Sequence, residues 1–395
     1  MSVIPIQPHS AARGISVPPP LALYIHIPWC LRKCPYCDFN SHEAREGIPE
    51  AGYIDALLAD LEHALPLVWG RRPVSLFFGG GTPSLFSPQG IDRLLAGMRA
   101  LLPWQPDAEI TLEANPGTVE SGRFAEFRAV GINRVSLGIQ SFNHRHLLAL
   151  GRVHDGNEAR NAAEIAARHF ETFNLDLMQG LPGQSAAEAA EDLDTALSFR
   201  PPHLSCYQLT LEPNTRFAAD PPADLPDADR AADMQEAAEQ CLAAASYRHY
   251  ETSAYALPGH ECRHNLNYWH FGDYLGIGAG AHSKLTLPDG IIRQMRWKHP
   301  EAYLRQTAAG KPVQDEHRVA GASLPFEFLM NALRLEAGFP PALYTARTGR
   351  ALEDIMPLLK AAAAEGMLVV SAERIFPTEM GRRFLNVLLE RFLPG

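Results

Sequence analysis

The chain has 395 residues, 46% of them hydrophobic, and a formal charge of −10 at pH 7. That length and composition suit two domains, or one large domain with an appendage, built round a sizeable core. The negative charge excludes broad electrostatic binding to nucleic acid or an anionic membrane and leaves at most a local basic patch, with Arg293, Arg296 and Lys298 as candidates.

Residues 1–20 are proline-rich, contain no signal-like apolar core and are expected to be a disordered lead-in. From residue 21 to 257 apolar strands alternate with amphipathic helices. Strands are predicted at Leu21–Ile27, Val74–Phe78, Glu109–Glu113, Arg134–Ile139, Phe173–Met178 and His203–Leu211. Helices are predicted at Tyr53–Leu65, Ile91–Leu102, Arg123–Val130, Ala159–Phe170, Ala186–Phe199 and Ala231–Ser246. This alternation implies parallel βα units, as a barrel or a doubly wound sheet. Residues 258–395 differ in composition and are expected to form a separate C-terminal unit. Helices at Leu324–Leu335, Ala351–Glu365 and Glu379–Phe392, with short strands at Met367–Val370 and Ile375–Thr378, give it a helical, winged-helix-like character. No stretch is long and apolar enough to span a bilayer. The six cysteines are no disulfide framework and fit a reducing, cytoplasmic compartment.

Cys30, Cys34 and Cys37 follow the first strand, with three residues between the first pair and two between the second. Thiolates so clustered suit an iron–sulfur cluster or zinc. Zinc needs a fourth protein ligand, for which His26 or His42 is near. A 4Fe–4S cluster on three cysteines leaves one iron open. Gly79-Gly80-Gly81-Thr82-Pro83 follows the second strand and lets backbone amides approach a ligand. Glu113, Gln140, Asp176 and Gln208 lie at or near the C-terminal ends of strands, with Arg152 in the loop after the fourth. Polar groups at equivalent positions point to a shared pocket. His264-Asn265-Leu266-Asn267-Tyr268-Trp269, taken alone, reads as a buried aromatic corner with a hydrogen-bonded histidine.

The cysteine triad with Tyr36 before its third member resembles the signature of the radical S-adenosylmethionine superfamily, whose usual fold is a partial βα barrel. In that superfamily the open iron binds S-adenosylmethionine, which the reduced cluster cleaves to a 5′-deoxyadenosyl radical. The segments LYIHIPWC, FFGGGTPS, TLEANP, VSLGIQSF, NLDLMQGLPGQ and LGIGAGAHS resemble the coproporphyrinogen-dehydrogenase-like branch. The resemblance implies a partial (β/α)6 barrel and S-adenosylmethionine contacts at Tyr24, Tyr36, Gly80, Gly81, Thr82, Glu113, Gln140, Arg152 and Asp176. The oxygen-independent coproporphyrinogen III oxidases of this branch carry a further cysteine where Phe39 stands, and a longer N-terminal region. Both departures resemble the HemW-type heme chaperones instead. The HNxxYW motif agrees and implies heme binding through His264, with Cys262 and His260 as alternatives. An imidazole is a standard heme ligand, and Tyr268 and Trp269 can pack on a porphyrin. The resemblance thus implies heme transfer to an acceptor protein, with the cluster and S-adenosylmethionine gating transfer or supporting a homodimer. The competing expectation is oxidative decarboxylation of coproporphyrinogen III. A zinc-stabilised barrel is the third.

Overall fold

The computed structural model describes residues 15, 17–45, 47–118 and 121–394, so most of the expected lead-in lies outside the described residues. Six strands build the centre: β1 (Leu21–Ile27), β2 (Ser75–Gly80), β3 (Glu109–Ala114), β4 (Arg134–Gln140), β5 (Thr172–Gln179) and β6 (His203–Gln208). They lie side by side in that order and pair in parallel, each crossing over through helix. Successive side chains along each strand point to opposite faces of the sheet. Leu21, Leu23, Ile25 and Ile27, with Leu76, Phe78, Ile110, Leu112, Val135 and Leu137, join the core under the helices. The intervening residues, among them Tyr24, His26, Ser75, Glu109, Glu113, Arg134, Ser136, Asn174 and Asp176, turn to the concave side. The sheet is therefore apolar outside and polar within.

The crossover helices have readable starts. Asp155 and Ser185 each form a reciprocal capping box with the glutamate three residues on, Glu158 and Glu188. Ser87 caps the helix Pro88–Leu101, which opens on a proline.

The sheet continues beyond the six strands. On the β6 side come β7 (Arg248–Glu251) and β8 (Ala254–Ala256), with β8 against β6. On the β1 side β9 (Asp273–Ile277) pairs in parallel with β1, and β10 (His282–Leu287), β11 (Gly290–Arg296) and β12 (Val313–Arg318) follow antiparallel. The twelve strands do not close into a barrel. The expected boundary at residue 257 therefore does not fall at a break in the sheet, because β9 to β12 extend it. The expected basic patch is absent as well. Arg296 is fully buried against Asp60 at 3.0 Å, and Arg293 is paired with Glu327.

A second core holds the C-terminal helices, with Phe271, Phe328, Phe339, Tyr344, Leu359 and Leu388 among its members. Helices Leu324–Ala332, Pro341–Thr348 and Met356–Ala364 precede the hairpin Leu368–Val370 with Ile375–Pro377. The single helix expected at Glu379–Phe392 is two, Glu379–Arg383 and Leu385–Glu390, broken at Phe384.

Candidate functional site

Pro28 ends β1, and Trp29–Cys30 pairs with His42–Glu43, which ties off the cysteine segment as a loop. A turn from the Cys37 N–H to the Cys34 carbonyl, 3.1 Å, brings the last two cysteines round. The Lys33 ammonium donates to the Phe39 and Ser41 carbonyls at 3.1 and 3.4 Å. Asn40 Nδ2 donates to the Ala279 and Lys298 carbonyls at 2.9 and 2.8 Å, fastening the loop to the glycine-rich turn after β9. A side chain at Gly280, whose φ is +81°, would put its Cβ 2.3 Å from Asn40 Nδ2. That turn thus serves the cysteine loop structurally. His282 beside it is exposed and does not line the cavity.

The loop opens on a cavity of about 1260 Å³ at the C-terminal ends of the strands. Cys30, Cys34, Cys37, Tyr36, Gly80, Gly81, Thr82, Glu113, Gln140, Arg152, Asp176 and Gln208 all line it. Tyr24 does not. Its ring stacks on Phe77 beneath Gly79, and its hydroxyl meets His26 Nδ1 at 3.1 Å. The glycine turn fits its place sterically. A Cβ on Gly80, at φ +114°, would lie 2.5 Å from the His26 ring, and one on Gly81 2.5 Å from the Trp29 carbonyl oxygen.

Two carboxylates face each other deep in the lumen. Glu113 keeps some contact with cavity water, yet its depth and then the Asp176 charge push its pKa up to about 8. The Gly80 N–H donates to it at 3.2 Å. Asp176 is also raised by burial, though Asn174 donates to it at 2.7 Å and Ser136 at 3.3 Å. The pair is poised to take up a cationic group.

Arg152 links the loop to the strands. It donates to the Gly138 carbonyl at 2.7 Å, to Asn115 Oδ1, to Cys34 Sγ at 3.5 Å and to the Tyr36 hydroxyl at 3.4 Å. Asn115 in turn donates to Thr82 Oγ1 at 2.8 Å. Gln140 stands at φ +69°, rare for a side-chain-bearing residue, and accepts from the Tyr207 hydroxyl at 2.7 Å. Asn115 and Tyr207 are site residues that the sequence reading passed over.

His264 lies at the other end of the lumen. The helix Arg263–Trp269 closes that end, with Glu109 accepting from the Arg263 and His264 N–H groups at 3.2 and 3.1 Å and from Cys262 Sγ at 3.5 Å. His264 is 1% exposed. Its Nδ1 meets the Ser75 hydroxyl at 3.0 Å, its Nε2 meets the Tyr268 hydroxyl at 3.1 Å, and its ring stacks on Phe77 at 4.9 Å. Burial lowers its pKa to about 3. In this structure His264 is thus closed in at the base of the lumen. From the same helix Asn265 and Trp269, not His264, line the cavity. His260 is engaged with Thr172 at 3.1 Å, and Cys262 is buried.

Comparison with known proteins completes the picture. The model of the radical SAM superfamily matches residues 24–196, and that of the HemN C-terminal domain matches residues 322–384. A protein of Escherichia coli named heme chaperone HemW is 50% identical over 377 residues, covering 95% of this chain and 98% of the relative. Its namesake in Mycobacterium tuberculosis is 35% identical over 381 residues, covering 95% of each. The chain belongs to the HemW family of the radical SAM superfamily. The solved structure of coproporphyrinogen III oxidase HemN from Escherichia coli superposes with a TM-score of 0.80 at 25% identity, covering 96% of this chain and 92% of that one.

For a member of this family the donor set is informative. Among the described residues no three His, Cys, Asp or Glu side chains converge closely enough to hold one metal ion. Neither histidine completes a Cys3His site: His26 spends both nitrogens, on Tyr24 and on the Asn40 carbonyl, and His42 packs against His299. An all-thiolate loop with no fourth protein ligand fits a multi-iron cluster better than zinc. The polar wall beside it, with two carboxylates whose pKa values burial raises and a glycine edge, fits a cationic cofactor. No helix among the described residues is long and apolar enough to cross a membrane.

Proposed function

We propose that this protein is a heme chaperone, binding heme and passing it to an acceptor protein on a scaffold that also holds a 4Fe–4S cluster and S-adenosylmethionine. The observation that carries this is the joining of three cysteines and a polar cradle in one cavity, on a chain whose relatives across 95% of its length are named heme chaperones. Cys30, Cys34 and Cys37 hold the cluster, which supplies an iron free of protein ligands and an electron. Gly80, Gly81 and Thr82 offer the backbone edge for the methionyl group. Glu113 and Asp176 receive its positive charge, with Glu113 giving up its proton on binding. Arg152 holds Tyr36 and the cysteine loop in register with the strands. Gln140, fixed by Tyr207, faces the same space.

A second reading, coproporphyrinogen III oxidase, is favoured by the fold likeness to HemN, but fold alone does not assign chemistry. Phe39 speaks against it. It is 59% exposed at the cavity mouth, where the oxidases carry a further cysteine. The test is anaerobic reconstitution with iron and sulfide, then paramagnetic resonance of the reduced protein with and without S-adenosylmethionine, and incubation with coproporphyrinogen III. The expected result is a 4Fe–4S signal that S-adenosylmethionine shifts, lost in Cys34→Ala, with no protoporphyrinogen formed. A colourless protein with zinc, or formation of protoporphyrinogen, overturns the reading.

A further inference from the structure

Six residues other than glycine have positive φ among those described, and of these Gln140 alone lines the cavity. Its φ of +69° falls where the register between β4 and β5 shifts, after Leu137. Such a conformation persists only where its surroundings hold it, and it gathers at functional sites. The side chain is 6% exposed, and the two ends of its amide meet different neighbours. Oε1 accepts from the Tyr207 hydroxyl at 2.7 Å. Nε2 stands over Gly138, where an added Cβ would lie 3.2 Å from it and 3.3 Å from an Arg152 nitrogen. Among the described residues Nε2 has no hydrogen-bond partner, and it opens on the cavity.

Tyr207 decides which end of the amide is which. Its ring, on β6, packs with Tyr36 on a small apolar cluster that includes Leu150, Met178 and Phe217, and this fixes where the hydroxyl stands. Burial, ahead of the Asp176 charge, pushes the phenol above its usual range, so it keeps its proton. A buried phenolic donor needs an acceptor, and among the described residues Gln140 Oε1 is the one it has. Reversing the amide would strand that proton and turn an acceptor to the cavity.

We infer that Tyr207 is a positioning residue for the cofactor: it fixes the Gln140 amide so that this point of the wall offers N–H donors and takes an acceptor oxygen or nitrogen of S-adenosylmethionine. The inference rests on the cofactor reading and deepens it. The wall is then divided by polarity. Glu113 and Asp176 form its accepting part, Gln140 and Arg152 its donating part, and a ligand with both a cationic centre and acceptor groups is matched in one orientation.

The experiment is equilibrium dialysis of radiolabelled S-adenosylmethionine against the anaerobically reconstituted full-length protein, for wild type, Tyr207→Phe, Gln140→Gly and the double variant. Phenylalanine removes the hydroxyl and keeps the ring, and glycine accepts the φ of +69°. Circular dichroism and iron content per chain check fold and cluster. Each single substitution is expected to weaken binding about three- to tenfold, and Tyr207→Phe to add less than about twofold in the Gln140→Gly background. A merely structural role for the hydroxyl would weaken both backgrounds alike. Either single variant within about twofold of wild type, or an equal loss from Tyr207→Phe in both backgrounds, overturns the inference and leaves the cofactor reading standing. No saturable binding by wild type overturns both.

Discussion

Glu113 carries a pH signature that a substitution can isolate. Its pKa in the folded protein, about 8, stands above the usual 4.3 or so of an unfolded chain, so the folded state holds its proton more tightly. The stability this gives is complete below pH 4 or so and is lost as pH rises through about 8. Glu113→Gln in the cofactor-free protein should therefore gain on wild type as pH climbs from 5 to 9, by roughly 1–2 kcal/mol after allowance for cavity water. Denaturant unfolding across that range reads it, and parallel curves for the two proteins contradict it. The same substitution should abolish the S-adenosylmethionine shift of the cluster signal. Gly80 is the complementary case. Gly80→Ala places a methyl group on the His26 ring at a φ that alanine avoids, and should lower stability by about 1–3 kcal/mol in thermal unfolding. Which residues gather at the cavity was largely legible at this scale, because cysteine spacing and polar residues inside apolar strands are local signals. Asn115 was not, since its work is to connect Thr82 to Arg152, residues distant in sequence.

The helix Arg263–Trp269 shows how an element can be legible as a motif while its surroundings are not. Its histidine suggested a ligand, and the spacing of polar and aromatic residues suits a buried corner equally well. What decided the outcome was Glu109 and Ser75, at the starts of β3 and β2, which no local reading of residues 263–269 contains. Drawing the helix out of the lumen would break three contacts to Glu109 and two to the His264 ring, a cost on the order of 5 kcal/mol. A heme that needed that opening would bind about 10³–10⁴ times more weakly than its intrinsic affinity. His264→Ala should accordingly lower stability by about 2–4 kcal/mol in thermal unfolding, whether or not heme is present. An unchanged melting temperature would show that the histidine is not part of the closed lumen. Elements set by strong periodicity, β1 to β6 and their helices, agree with the sequence reading to within a few residues. The break at Phe384 does not, because nothing in an unbroken amphipathic pattern signals it.

At the scale of the whole molecule the six-stranded parallel core was readable from alternation. The antiparallel extension β9 to β12 was not. Its strands mix apolar with charged residues, and only β9 pairs with β1, the others pairing in turn with their neighbours. That extension matters to the site, for it carries the turn at Gly278–Gly280 on which Asn40 and the cysteine loop rest. The C-terminal unit in turn supplies the far wall of the cavity. One space thus joins a thiolate and carboxylate end to an arginine and aromatic end. Anomalous diffraction at the iron edge from crystals of the anaerobically reconstituted protein tests the cluster assignment most directly. The expected result is a multi-iron peak at Cys30, Cys34 and Cys37. No iron at the three cysteines contradicts it.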